Sequence, residues 1–471
     1  MSDRRVFRWA TTSARLLAAT VASVAAVVAV VTAVSIPWPT VAHEPVSVWA
    51  TPAPAATVLV CDGGLLSLGR DLEDAAEITV ATTQSVVSGG SEGAAPPVET
   101  RLAAPSLDAG AGPLVFTAQP ENRSRVDIAA SGSATVAADD LAGFAASACR
   151  PPVMESWLVG GSGSTGAADI VILSNPGTVA ATVQLTAYGA SGASTPPGGV
   201  DIVVPPATQR LIPLAGLVLG ESAPVIRVSA VGAPVHASLQ TSITRTLTPG
   251  GVDQVGPVQA PEASQTIAGV SVTSQPGTAG QSDAPTVLRV LSPGAAATAT
   301  VTVTAVGGAE PVPPRVVPLA AAQPTEIGLG DLPIGTYIVD VTADQPVVAA
   351  VWQTTGFAEG SDFTWYSPSP LVTASSLFAT PAGPPPSLTI VNSEDAEAVV
   401  SITSADGSFR LEVTVPAHGS TTARLSPRTV YELDPGGSGI RAGLSLTGDG
   451  ALAALTVWPA DAAAPPILVY P

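Results

Sequence analysis

Few residues of this 471-residue chain are of types and spacings that could do chemistry. Histidine occurs three times, at His43, His236 and His418. The three fall in separate stretches, so neither a metal centre nor a catalytic triad is expected of them. Cys61 and Cys149 have no Cys or His neighbour in sequence, which argues against a zinc site. In an oxidising compartment they would pair; otherwise they are two buried thiols. All 18 cationic residues are arginine. Without lysine the chain has no phosphate-loop, kinase-type or Schiff-base lysine. Gly161-x-Gly163-x-x-Gly166 matches a dinucleotide fingerprint, but a strand pattern follows where that motif needs a helix. Gly89-x-Ser91-x-Gly93 matches a nucleophile elbow, but Ala-Ala-Pro-Pro follows and no histidine partner is apparent. No catalytic residue, cofactor or metal is expected.

Aromatic residues supply the remaining candidate surface. Phe357, Phe363, Trp365 and Tyr366 lie beside Glu359 and Asp362 in one short stretch. Rings next to carboxylates can stack on sugars while the acids accept hydroxyl protons. The same rings could instead form a buried wedge between modules. The sugar-binding reading expects Trp365 and Tyr366 to be exposed and coplanar. Trp352, Trp458 and Leu239 sit at positions read as equivalent between repeats, which points to a core role. Acidic residues are scattered, so a two-carboxylate glycosidase site has no positive support. Asn122-Arg-Ser124 matches a glycosylation acceptor by pattern only.

These residues must be positioned by a chain with a formal net charge of −19, and such a chain is a poor nucleic-acid binder. Arg4, Arg5, Arg8 and Arg15 precede an uncharged run from Leu16 to Ile36. That run is long enough to cross a bilayer, and the one-sided arginines place the N-terminus in the cytoplasm. Pro37, Trp38 and Pro39 would end the helix. Cleavage after Thr40-Val41-Ala42 is the alternative. Either way the bulk is exported.

Beyond the anchor the chain repeats itself. Three copies begin with a short strand, at Asp169–Gly177, Val287–Gly294 and Ser387–Ser393. An alternating strand follows each, at Ala181–Tyr188, Thr300–Val306 and Val399–Thr403. A second element is broken by proline or small residues, at Val203–Leu211, Val316–Gln323 and Val413–Ser420. The third element reads as a hairpin at Val225–Leu239, Tyr337–Trp352 and Ala442–Trp458. Gly232, Asp344 and Gly448–Gly450 would make its turns. Each copy spans about 100 residues with six or seven strands, the size of an immunoglobulin-like β-sandwich. The segment before the copies shows strand patterns at Thr57–Val60, Glu77–Thr82, Leu114–Ala118 and Val126–Ala129. It also carries a helix signal from Asp139 to Ala148 and a loop at Gly89–Pro97.

Cys149–Gly161 (CRPPVMESWLVGG) and the turn Leu173–Gly177 (LSNPG) resemble an uncharacterised, domain-of-unknown-function family of actinobacterial exported proteins with one N-terminal membrane segment. The resemblance covers most of the exported chain. It implies a cell-envelope location, and it carries over no activity and no catalytic residues. The lysine-free, Ala/Val-rich composition agrees with a high-GC genome.

The expected fold class is all-β, with tandem immunoglobulin-like sandwiches after one transmembrane helix. The expected domains are a cytoplasmic tail at 1–15, a membrane helix at 16–36 and a disulfide-closed β domain at 45–152. Sandwiches would follow at 153–258, 259–371 and 372–471. The expected role is a non-catalytic structural or interaction protein of the envelope, with an envelope protein or cell-wall polymer as partner. A carbohydrate-binding protein is the alternative, and a glycan-active enzyme the next.

Overall fold

The computed structural model describes residues 3–35, 48–50, 54–69, 77–108, 110–121, 124–258, 260–274, 285–308, 312–330, 332–460 and 467–469. His43, the Pro37–Pro39 stop, the Thr40–Ala42 site and Asn122 lie outside the described residues. The chain forms two compact units, Ala53–Ala464 and a smaller one made of Met1–Pro52 with Pro465–Pro471.

The smaller unit contains the helix Asp3–Ser35 and a short antiparallel pair, Val48–Ala50 with Ile467–Val469. Within the helix, Thr12–Ser35 is long and apolar enough to cross a membrane. At 1.5 Å per residue, 24 residues reach about 36 Å, more than the roughly 30 Å hydrocarbon core. The hydroxyls of Thr20, Ser23, Thr32 and Ser35 donate to the carbonyls of Leu16, Ala19, Val28 and Val31. No acceptor from outside the helix is needed for them, which suits apolar surroundings.

The larger unit is all-β and holds three sandwiches built on one strand plan. In the first, one sheet runs Glu155–Val159, Val225–Val231, Ala181–Gly189, with Gly192–Ser194 and Ile202–Val204 on the last of these. The facing sheet runs Thr208–Pro213, Ile170–Asn175, His236–Arg245, Thr248–Val255. Alternation drives this arrangement. In Ala181–Gly189, Val183 and Leu185 are fully buried while Thr182 and Gln184 are exposed. The third sandwich repeats the order with Ser376–Thr380, Thr429–Asp434, Ala398–Ser404 and Arg410–Val415. These face Gly419–Arg424, Pro386–Asn392, Ile440–Gly448 and Ala451–Thr456. Asn175 and Asn392 mark the same corner. Each buried amide donates to carbonyls across its turn, and each side-chain oxygen takes an N–H two residues on.

Eight strand positions per copy replace the six or seven expected, and two of the three expected hairpins are absent. Val225–Val231 and His236–Arg245 belong to opposite sheets, so the Gly232 turn is an arch between layers. In the second sandwich the corresponding stretch is one continuous strand, Gly335–Thr354. Its first half pairs with Glu262–Val272 and Ala297–Ala305, and its second half with Thr286–Leu291 and Phe363–Tyr366. Proline occurs at this crossing in every copy, as Pro234, Pro346 and Pro435. It lacks the N–H that a hairpin ladder would use. The true hairpin is the one joining Ile440–Gly448 to Ala451–Thr456. Its tip, Asp449 and Gly450, has the two positive φ angles a two-residue turn needs.

Register corrects the expected equivalence of Leu239, Trp352 and Trp458. Aligning the copies on Asn175, Ser292 and Asn392 matches Val287 to Ile170 and Ser387. Their partners Trp352, Gln240 and Ser445 are therefore the equivalent set. Trp352 and Trp458 are both half-buried, and only Leu239 is a core residue.

The segment before the sandwiches forms small sheets that wedge between them. Leu66 and Ile78 pack on Ile170, Ile172 and Leu211 of the first sandwich, and Phe144 and Ala146 join the core of the third. Cys61 and Cys149 form the disulfide, buried among Leu59, Phe116 and Ile128. The Asp139–Ala148 stretch is not a helix. Ala142–Ala148 is a strand paired with Ile128–Ala137, and Asp139 and Asp140 lie in the turn. Sheets lie close on both sides, so both strands carry Ala, Gly and Ser at buried positions. Tertiary packing there overrides helix propensity. The expected loop at Gly89 also begins two residues late, because Gly89 and Gly90 finish the strand Ser85–Gly90. Gly89 lies where a Cβ would sit 3.1 Å from Val430 of the third sandwich.

Candidate functional site

A cleft of about 590 Å³ opens between the first and second sandwiches. One wall is the turn that carries the Gly161-Gly163-Gly166 pattern. This turn joins two strands, Glu155–Val159 and Ile170–Asn175, so no helix N-terminus faces it. Its glycines are there for close approach. A Cβ on Gly163 would sit 1.9 Å from the Val218 carbonyl oxygen. One on Gly161, at φ +72°, would sit 2.6 Å from the Asp169 carboxylate.

Asp169 is 4% exposed at the foot of this wall. It accepts the Ser162 N–H at 2.6 Å and the Ser242 N–H at 2.9 Å. Burial pushes its carboxyl up to about 7, outweighing those two bonds and the nearby Arg289 charge. Thr241 lies on the neighbouring strand, is 2% exposed and lines the cleft. Its buried hydroxyl has no hydrogen-bond partner among the described residues.

The opposite wall belongs to the second sandwich. Arg289 reaches from Thr286–Leu291 into the first sandwich and donates to the Gly161 and Pro224 carbonyls at 2.8 and 2.9 Å. Its other side pairs with Glu326 at 2.8 Å. Burial lowers the guanidinium's affinity for its proton, and Glu326 and Asp169 act against that. The guanidinium lies 4.6 Å above the Trp365 ring. Trp352 is half-buried beside Phe363, their centroids 6.1 Å apart. At the mouth, Arg245 lies over Phe357 at 5.0 Å.

The structure separates the five residues singled out in the aromatic stretch. Phe363–Tyr366 is a strand, the eighth of its sandwich. It has counterparts in Thr248–Val255 and Ala451–Thr456 that the sequence pattern hides. Phe363 and Trp365 point into the cleft, while Tyr366 points into the second core and accepts the Ser271 N–H. Trp365 and Tyr366 are 6% and 2% exposed, so they form no exposed stacking platform. Glu359 is exposed and outside the cleft. Asp362 is buried elsewhere, accepting the N–H groups of Phe144, Val252 and Leu452.

Asp169, Thr241, Arg289 and Glu326 were not singled out from sequence, and Trp352 was read only as a core residue, whereas it is half-buried on the cleft wall. Arg289 carried a signal, as a charge inside the apolar run Val287–Leu291. His236 also gains a partner: it pairs with Asp62 at 2.6 Å, both 1% exposed. Burial raises the Asp62 carboxyl, but the His236 ring together with the nearby Ser238 and Ser147 hydroxyls holds it below its ordinary value. His418 is exposed and bonds Asp395. Among the described residues no group of three or more His, Cys, Asp or Glu could hold a metal ion.

No curated protein matches the chain. The model of a family of unknown function (DUF5719) matches residues 104–428, from the N-terminal segment through the cleft into the third sandwich. That is well over half of the 471 residues, and the chain belongs to this family.

Proposed function

We propose that the chain is a non-catalytic binding component of the cell envelope, with its N-terminal helix in the plasma membrane and its sandwiches outside. The observation that carries this reading is the 24-residue apolar segment Thr12–Ser35, with Arg4, Arg5 and Arg8 before it and no counterpart charge cluster after it. The Cys61–Cys149 disulfide supports an oxidising location for the sandwiches. The partners are an envelope protein or cell-wall polymer. A net charge of −19 disfavours nucleic acid.

A hydrolase is the second reading, because Asp169 and Glu326 line one cleft. Against it, both oxygens of Asp169 hold backbone N–H groups and Glu326 is paired with Arg289. Tags at both ends of the full chain test the location. Protease added to intact cells should remove the C-terminal tag and spare the N-terminal one on a membrane-bound fragment. A C-terminal tag that survives in intact cells and is lost only after lysis would overturn the reading.

A further inference from the structure

We propose that the cleft between the first two sandwiches binds a short neutral saccharide, with the ring face of Trp352 as its platform and Thr241 and Asp169 as its polar contacts. The proposal concerns the ligand of this one site and stands whether or not the chain is membrane-held.

The shape comes first. A volume of about 590 Å³ is in the range of small-ligand sites, which combine apolar walls with a few converging polar groups. Trp365 cannot be the platform. Arg289 covers one ring face at 4.6 Å, and Gly160 is so close that a Cβ there would lie 3.4 Å from the ring. Trp352 is the tryptophan left half-buried on the cleft wall, held at its angle by Phe363. A half-covered indole offers the flat apolar face on which the C–H side of a sugar ring rests.

The polar groups decide the class. Thr241 is the informative residue, because a buried hydroxyl with no partner is a cost that a protein ordinarily avoids. Thr241 is one of the residues lining the cleft, and rotation about its χ1 would let the hydroxyl both accept from and donate to an incoming group. Asp169 keeps its backbone bonds and still has lone pairs for a hydroxyl donor. Ser162, Ser164 and Thr165 add hydroxyls along the same wall.

Two cations line the cleft, and Arg245 lies over the Phe357 ring. Arg289 spends its donors on the Gly161, Pro224 and Ser222 carbonyls and on Glu326, so it presents no open fork to a phosphate or carboxylate. Glu326 also sets negative charge beside Arg289. What remains is a site for a ring with an apolar face and uncharged hydroxyls at its edge.

The test uses the full chain in lipid nanodiscs, with no sugar-based detergent. Tryptophan emission is followed while maltotriose, cellotriose, mannotriose and inorganic phosphate are added separately, each to about 10 mM. At least one trisaccharide should shift the emission saturably, and phosphate should not. Trp352→Ala should weaken that binding by roughly tenfold or more. Thr241→Val should weaken it by about fivefold or more while raising the melting temperature, since it removes an unpartnered hydroxyl from the empty cleft. The opposite signs separate a ligand contact from a structural role. If Trp352→Ala fails to fold, Thr241→Val decides alone. No shift with any trisaccharide, a saturable response to phosphate, or unchanged affinity in Thr241→Val would overturn the proposal.

Discussion

Single carboxyl groups set how this protein should respond to pH. Asp169, Asp253 and Asp362 are all buried, and burial pushes them up to about 7, 8 and 7 from an ordinary 3.8. In the folded state they therefore hold protons that the unfolded chain gives up at lower pH. Their contribution to stability is full below about pH 4 and is lost as pH rises through 7 to 8. Asp62 acts with the opposite sign, because its folded value lies below the ordinary one. Its effect is confined to the acid side, so the interval between about pH 5 and 8 reports the raised carboxyls, to which Asp340, also raised by burial, adds with the same sign. Melting temperature should fall across that interval. Asp253→Asn should flatten the slope at little cost. The Thr364 hydroxyl and the Trp365 N–H both donate to one oxygen of Asp253, and the other oxygen has no partner. An amide can keep both bonds and does not titrate. A melting temperature that rises from pH 5 to pH 8, or an unchanged slope in the variant, would contradict this account.

Strands show where sequence reading works and where it stops. Alternation marked Ala181–Gly189, Ala297–Ala305 and Ala398–Ser404, because period 2 is a property of the residues themselves. The disulfide was legible too, since the chain has only two cysteines. Which strands share a sheet was not legible, because alternation looks the same in a hairpin and in an arch. The prolines at 234, 346 and 435 held that information, and the stronger turn signal Gly448-Asp449-Gly450 drew the alignment one strand too far. The cleft was out of reach for a different reason. Asp169 lies at the end of a turn and Thr241, Arg289 and Trp352 on three strands of two copies, and only the packing of one copy on the next brings them together. Ala142–Ala148 makes the most direct test at this scale. Its composition suits a helix, and its small residues are needed because sheets pack on both faces. Ala145 is fully buried against Leu65 and Val252. Ala145→Val raises β propensity, yet it should destabilise by about 1–3 kcal/mol through overpacking. The midpoint of urea unfolding reads this directly, and an unchanged or higher midpoint would show that the strand has room to spare.

At the scale of the whole β unit, one residue ties the sandwiches together. Phe363–Tyr366 packs against both other eighth strands, Thr248–Val255 and Ala451–Thr456, and each of those packs against Ala142–Ala148, closing a ring of four strands at one junction. Each would otherwise present an open edge, so the sandwiches cover one another's exposed backbone there. Asp362 sits at the meeting point. Its carboxylate accepts N–H groups from Phe144 of the N-terminal segment, Val252 of the first sandwich and Leu452 of the third, at 2.9, 3.2 and 3.3 Å. Asp362 itself belongs to the second, so one side chain bonds across all four parts. Burial of such a group is tolerated because all three donors are satisfied at once. Asp362→Ala would leave three N–H groups unpaired inside the junction, at about 1–3 kcal/mol each. The cost would not stay local, since no single sandwich holds all three donors. The intact protein should therefore melt in one calorimetric transition over Ala53–Ala464, with the disulfide kept oxidised. The variant should melt lower and in more than one step, as the copies separate before they unfold. If Asp362→Ala melts in a single transition at the original temperature, the junction is held by apolar packing alone, through contacts such as Phe144 with the third core.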